Sequence, residues 1–479
     1  MPPGIRKAAA FVFVLALVVR LAWCTLATVT PISDCAGYHK LARALLETGR
    51  LHHSLGDAWR TPAYPGFLAG VYAVLGEDVR AAALVQSFLG ALSAAVVVLI
   101  ASQVVSPRAS LLAGVLQAIW PTAVVYAPVL VSENLATPLA LLTLLCIAWA
   151  GRAGRMRGVA LLVSAGVAFG LLLLVRPSNC FLAPAVLLLL LYDGARRRWG
   201  LRAPLLFVAC TLVTLAPWLV RNYRLGLGPF TLSTQGGLAL WWGNNPETCD
   251  GASGAPRLGE ADQLGERARD HFYRDAVLTW IRDNPGRYLA LCGVRAIRFL
   301  GKEPDWFAAK FAWPTPDNDL AVRQRYEAAT YGKAVPKERI DYAQSIENRH
   351  MKYELRLRRA VAPLMLLALV WSLFRWRQFA LVNLPALSYF LGLSLTVFVE
   401  RYRVVSDPLL LILLAALLAD ILLGTRDLGG GRALRVVKAA LAVLLVAASI
   451  YAHKTRLDKD WYSLPPAQQP QATSRPELL

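Results

Sequence analysis

The stretch Tyr288–Leu300, YLALCGVRAIRFL, decides how the rest of the chain is laid out. It is apolar enough to be taken for a membrane crossing, yet it has only 13 residues and carries Arg295 and Arg298. At the helical rise of about 1.5 Å per residue it reaches about 20 Å, short of a hydrocarbon core of about 30 Å. If it crossed, every later segment would change sides and the basic loop 426–438 would face outward, against the cytoplasmic excess of Lys and Arg. The mixture of apolar and basic residues predicts an amphipathic helix lying at the interface instead.

Outward from that stretch, apolar segments fall near 8–28, 81–105, 109–127, 132–150, 158–175, 179–192, 203–220, 360–374, 378–399, 407–424 and 436–452, which predicts about eleven crossings. The short loops on one side carry Arg6 and Lys7, then Arg108, then Arg152, Arg155 and Arg157, then Arg196, Arg197, Arg198 and Arg202, then Arg375 and Arg377, then Arg426, Arg432, Arg435 and Lys438. Each is basic, which places that side in the cytoplasm. The apolar run Ala8–Thr28 is longer than a signal-peptide core and no clean small-residue cleavage site follows, so it is expected to be a retained span. Two large loops then lie outside, 29–80 and 221–359. The first is expected to hold interfacial helices and the second to form a small folded extracytoplasmic domain. The layout is 1–220 as an N-terminal membrane core, 221–359 as the loop domain, 360–452 as C-terminal membrane helices, and 453–479 as a flexible tail.

Composition agrees with a polytopic membrane protein. Of 479 residues 56% are hydrophobic and 17% charged, against about 25% charged in a soluble domain. That excludes a soluble enzyme and, by its hydrophobicity, a disordered chain. The 51 basic and 31 acidic residues give +20, which suits anionic lipid and does not call for nucleic acid. Seven cysteines are too few and too scattered for a disulfide framework. Cys24, Cys146, Cys180 and Cys210 fall in spans, leaving a single bridge among Cys35, Cys249 and Cys292 open. No His-x-x-x-His or Cys-x-x-Cys spacing points to zinc.

The first outside loop is the most informative. Asp34-Cys35-Ala36-Gly37-Tyr38-His39 stands just beyond the first span, Glu47-Thr48-Gly49 ends a helix, and Arg60-Thr61-Pro62-Ala63-Tyr64-Pro65-Gly66 opens another over Phe67–Leu75. A carboxylate at the membrane surface can take a proton from an acceptor hydroxyl. It can equally cap the helix that follows, and position alone does not choose.

These motifs, with Ser132-Glu133, Arg176-Pro177-Ser178, Pro217-Trp218, Arg221-Asn222-Tyr223, Gly236-Gly237, Gly243-Asn244-Asn245-Pro246 and Glu400-Arg401-Tyr402-Arg403, come in the order and on the common side of a known group. Over about residues 8–425 the chain resembles the GT-C-fold membrane glycosyltransferases. It is most similar to the bacterial protein mannosyltransferase and lipid A aminoarabinose transferase group, glycosyltransferase family 39-like. It departs from the aminoarabinose transferases where Arg60-Thr61 replaces a Glu-Lys pair. The resemblance implies Asp34 as the catalytic carboxylate. It also implies transfer of a sugar from a polyprenyl-phosphate donor to a hydroxyl on an outside glycan, lipid or protein, usually with inversion.

A departing lipid phosphate needs cations set in place beforehand, and the arginine fork suits two phosphate oxygens. Arg176, Arg221, Arg401 and Arg403 sit at outer span ends and are expected to encircle it. Arg20, inside the first span, either joins them or snorkels. Arg60 either joins them or contacts loop carbonyls at a helix start. Glu133 is expected to be a second functional carboxylate, paired with an Arg or, with Asp34, holding a divalent metal. Tyr38, Tyr64, Asn222, Trp242 and Tyr402 are the candidates for sugar, lipid or acceptor contact. The competing function is a lipid or solute transporter, against which the gathering of ionisable residues at one face argues, since transporters place them at mid-membrane. A scaffold without activity is the third reading.

Overall fold

A computed structural model of the chain describes residues 2–27, 29–196, 199–248, 258–299, 360–429 and 431–454, with isolated positions between 320 and 358. Among these residues the protein is all-α, with one isolated bridge between His53 and Gly56. Most of 300–359, Cys249 and the tail beyond Lys454 lie outside the described residues.

Helix α1, Pro3–Leu26, starts on a proline in its first turn, where no N–H is needed. Two short helices follow, α2 (Asp34–Thr48), closed by Gly49 at φ +67°, and α3 (Ala63–Leu75). Helix α4 (Val79–Ala101) is capped by Asp78, whose carboxylate accepts from the Arg80 N–H at 2.8 Å. The segment expected as one crossing over 109–127 is broken into α5 (Pro107–Ile119) and α6 (Pro121–Val125). The cause is Pro121, which has no N–H to give to the carbonyl of Gln117. Helices α7 (Glu133–Ala150), α8 (Arg155–Val175), α9 (Ala183–Arg196) and α10 (Arg202–Arg224) complete the first half. A 3₁₀ turn, Pro177–Leu182, links α8 to α9 and holds Cys180, which is exposed in the turn instead of inside a span.

After α10 come the loop helices α11 (Gly236–Gly243), α12 (Gly259–Asp262), α13 (Glu266–Asp283) and α14 (Pro285–Ile297). The helical stretch 360–373 is α15. It is followed by α16 (Trp376–Leu395), the 3₁₀ turn Glu400–Val405, α17 (Asp407–Leu422) and α18 (Arg432–Lys454). Among the described residues six helices, α1, α4, α7, α8, α10 and α16, are long and apolar enough to cross a membrane. Helix α17 is buried along nearly its whole length and forms the middle of the bundle. Phe11, Val14 and Val18 on α1 point outward at helical spacing, as a lipid-facing surface does. Where α8 meets α10, a Cβ on Gly166 would stand 2.7 Å from the Phe207 carbonyl, so the close approach depends on that residue having no side chain.

The stretch that decides the layout stays at the loop-rich end. Helix α14 packs against the last turn of α16, with the Tyr288 hydroxyl donating to the Leu395 carbonyl at 2.8 Å. Arg295 is fully buried and donates to the carbonyls of Ser394 and Gly243 and to Asn244 Oδ1. It is therefore not a surface charge of an interfacial helix, as expected, but a peg between the loop helices and the membrane helix. Trp241, Ala261, Tyr273, Val277, Trp280 and Leu291 form a small apolar core among α11–α14. Cys35 and Cys292 are free thiols. Lys438, counted above among the loop charges, is buried and paired with Asp420 at 3.0 Å.

Candidate active site

The site is built at the loop-rich end, where α2 begins. Ser33 sits at φ +53°, the only non-glycine residue with positive φ among the described residues. A side chain there is strained, a cost of about 1–3 kcal/mol that proteins tend to carry at functional positions. The strain turns the chain so that Asp34 opens α2. Its carboxylate accepts from Arg60 Nη2 at 2.5 Å on one oxygen and from Arg401 Nη2 at 2.5 Å on the other. No bond from its carboxylate to the backbone of α2 is formed, so Asp34 does not act as the helix cap.

Arg60 comes from a loop that is tied down along its length. Glu266 accepts from the N–H groups of Asp57 and Ala58, each at 2.8 Å. Thr61 Oγ1 donates to the Val175 carbonyl at 3.0 Å, and Arg221 donates to the carbonyls of Leu51 and Asp57. The Arg60 guanidinium lies 4.6 Å over the Tyr38 ring, which meets Tyr64 edge-on at 4.7 Å. Arg401 projects from the turn Glu400–Val405, which Arg298 anchors through Glu400 at 2.6 Å. Behind it stands Glu133, the first residue of α7, 3.8 Å from Arg401 Nε and bonded to Arg176 at the end of α8. Arg176 lies 4.5 Å over the Tyr402 ring.

The charges thus alternate in a chain, Arg60, Asp34, Arg401, Glu133, Arg176. Burial by itself would push the Asp34 carboxyl up, but the two guanidiniums hold it well below the usual carboxylate range. Burial by itself would lower Arg60 and Arg401, yet the facing carboxylates carry both above their ordinary values. Asp34 and Glu133 do not face one another as a metal pair, because the Arg401 cation stands between them.

This cluster opens on a cavity of about 840 Å³. Asp34, Tyr38, Arg60, Arg176, Arg401 and Tyr402 line it. Trp242 and a mostly apolar wall from Leu227 to Leu232, with Phe181, Leu393 and Val397, also line it. Gln235, Asp270 and Arg274 complete the lining, and Asp270 accepts from the Gly237 N–H at 2.6 Å and pairs with Arg274 at 2.8 Å. Burial raises the Asp270 carboxyl, against the pull of the Gly237 N–H and Arg274. Sequence reasoning missed Asp270 and Arg274, whose spacing of four on a polar helix reads as an ordinary exposed pair.

Other expected site residues lie elsewhere. Arg20 is buried away from the cavity and donates to the carbonyls of Ala16, Gln117 and Ala118. Tyr64 donates to Gln86 Oε1 at 2.6 Å, beneath the site. Arg221 stacks on Trp218 and holds the loop that bears Arg60. Asn222 is buried and donates to the Thr231 carbonyl. Arg403 pairs with Asp407 at 3.0 Å and bonds the Phe299 carbonyl. Glu133 is one layer behind the cavity surface.

No curated protein matches the chain. The archaeal oligosaccharyltransferase AglB from Archaeoglobus fulgidus is 12% identical over 93% of this chain, at a TM-score of 0.43. The chain spans only about half of that protein, 54% of its length. ArnT from Cupriavidus metallidurans in the apo state is 17% identical over 86% of this chain and 78% of its own, at a TM-score of 0.39. Residues 59–220, which include Arg60, Glu133 and Arg176 but not Asp34 or Arg401, match the family model of dolichyl-phosphate-mannose-protein mannosyltransferases, the group that the order of motifs resembles.

Proposed function

We propose that the protein transfers a sugar from a polyprenyl-phosphate donor to an acceptor hydroxyl, with inversion, at the extracytoplasmic face of the cytoplasmic membrane. The observation that carries this reading is a carboxylate bracketed by guanidiniums in the lining of a large, largely apolar cavity. The matched family is named for a lipid-phosphate sugar, and its pattern spans three of the five charged residues.

Asp34 takes the hydroxyl proton of the acceptor. The acceptor oxygen bonds to the anomeric carbon, and the bond from that carbon to the phosphate oxygen breaks with its electron pair on the phosphate. Arg60, Arg176 and Arg401 meet the charge that develops there, where preset donors stabilise the transition state most. Glu133 orients Arg176 and Arg401. Trp242 and Tyr402 offer aromatic faces to the sugar or the lipid, and Gln235, Asp270 and Arg274 provide hydrogen bonds for an acceptor glycan, lipid or protein. The basic loops at the opposite end support the assignment of face. Against transport stands the gathering of the charged cavity residues at the loop-rich end of the bundle, where Asp34, Arg60 and Arg401 line the cavity.

The test is transfer by the purified protein in liposomes, with a panel of radiolabelled polyprenyl-phosphate sugars. Wild type is expected to move label to an acceptor. Asp34→Asn is expected to keep its fold and lose about 10²- to 10⁴-fold in rate, the usual contribution of a general base. Near-normal transfer by that variant removes Asp34 from the chemistry.

A further inference from the structure

A carboxylate held by two arginines is a poor base, and two arginines held by a carboxylate are poor phosphate ligands. Both roles assigned above conflict with the bonds seen at rest, where Arg60 and Arg401 each spend a donor on Asp34. The charge count resolves the conflict. Three cations, Arg60, Arg176 and Arg401, face two carboxylates, Asp34 and Glu133, so the cluster carries one net positive charge. The Cys35 thiol of the same helix adds none, since burial pushes it up.

We infer that the Asp34 ion pair is a charge exchange that ties proton removal to phosphate release: when Asp34 takes the acceptor proton, it frees Arg60 and Arg401 for the leaving phosphate. The inference rests on the transfer reading above and gives its cluster an order of events. A sugar linked through a phosphodiester brings one negative charge and meets a cluster of +1. Transfer turns the diester into a monoester, which carries between about −1.5 and −2 near pH 7. The acceptor proton moves to Asp34 in the same step, so the cluster becomes +2. Charge is balanced on both sides, and no cation has to enter or leave. The geometry allows it because each guanidinium touches a different oxygen of Asp34 and both side chains already line the cavity. Arg401 is held from behind by Glu133, so it can turn toward the phosphate without losing every partner. Product release follows when Asp34 gives up its proton and reclaims the two arginines.

The consequence is a preference that no static picture of a phosphate cradle provides. With Asp34 ionised the site suits a diester, and with Asp34 neutral it suits a monoester. The measurement is lipid binding without turnover, using undecaprenyl phosphate as monoester and a glycosyl phosphoundecaprenol as diester, in nanodiscs at pH 8. In Asp34→Asn the affinity for the monoester relative to the diester is expected to rise at least tenfold over wild type. In wild type itself, calorimetry in buffers of different ionisation enthalpy is expected to show uptake of about one proton with the monoester and none with the diester. That uptake is expected to vanish in Asp34→Asn. A relative affinity within twofold of wild type, equal proton uptake for the two lipids, or uptake that persists in the variant overturns the exchange. Failure of wild type to bind either lipid overturns the transfer reading itself, which keeps the two outcomes apart.

Discussion

The two ends of the bundle use the same ingredients to opposite effect. At the end away from the loop helices, Asp420 and Lys438 are both 0% exposed and 3.0 Å apart. Asp420 also accepts from the N–H groups of Asp427 and Leu428 and from the Thr425 hydroxyl. Asp427 in turn accepts from the backbone and the hydroxyl of Ser106 at the start of α5. Every carboxylate oxygen of Asp420 and Asp427 is used, much of it by backbone, and neither residue lines the site cavity. At the loop-rich end the carboxylate of Asp34 has guanidinium partners only, its side chain is 20% exposed, and it faces open space. A buried ion pair becomes a candidate for chemistry when its carboxylate is short of backbone donors and borders a cavity. Saturation and closure mark the structural kind.

The sharpest way to break that contrast is to remove one carboxylate at the sealed end. Asp420→Ala leaves the Lys438 ammonium buried without its partner and frees two backbone N–H groups. It is expected to destabilise the protein by about 3–5 kcal/mol, read as a fall in the detergent unfolding midpoint. Lipid-phosphate affinity of the fraction that remains folded should not change. A loss of affinity in step with stability would mean that the two ends are not independent.

A smaller effect separates two arginines that look alike in sequence. Arg176→Gln is expected to weaken undecaprenyl phosphate at least tenfold, about 1.4 kcal/mol at 25 °C. Arg20→Met is expected to leave that affinity within twofold of wild type. It should instead cost about 1.5–3 kcal/mol of stability, the worth of hydrogen bonds from a charged donor. Parallel losses of affinity in the two variants would restore Arg20 to the phosphate site.

That pair also shows how far the sequence could be read. The apolar segments, the site-bearing loop and the placing of Asp34, Arg176 and Arg401 on one side follow from local pattern and sidedness, because each of the three lies near a span end, whereas Arg60, in mid-loop, stayed open between the phosphate and loop carbonyls. Arg20 does not, since its role depends on which carbonyls lack a partner. Pro121 leaves the Gln117 carbonyl without its helical donor, and Arg20, 97 residues away in the chain, supplies one. The signal was present as a proline inside an apolar run and an arginine inside another, but nothing local joins them. Arg221 is similar, since it was expected on the phosphate and instead fixes the loop that delivers Arg60. Lys438 reads as a loop charge until Asp420 is placed beside it. Asp270 and Arg274 escaped because no period or motif distinguishes a cavity-lining pair from a solvated one.

The smallest expected effect concerns acid, and it falls on one end alone. His53 stacks on Trp59 at 6.1 Å, and its Nδ1 accepts from the Leu55 N–H at 3.1 Å. Burial and the cations Arg60, His52 and Lys40 bring its pKa from 6.5 down to about 4, against the weaker pull of Asp34. The unfolded loop therefore takes a proton below about pH 6.5 while the folded loop does not until about pH 4. Stability of the loop is full above that window and declines as pH falls through it, because the unfolded form binds more protons. The depressed carboxyl of Asp34 works differently. Its pairing persists from neutrality down through the ordinary carboxylate range and is lost only at lower pH. Hydrogen exchange between pH 7 and 4.5 is expected to show residues 51–60 loosening while the segment around Asp420 and Lys438 keeps its protection. In His53→Gln the pH dependence of 51–60 should disappear, and if it remains, some group other than His53 makes the loop-rich end sensitive to acid.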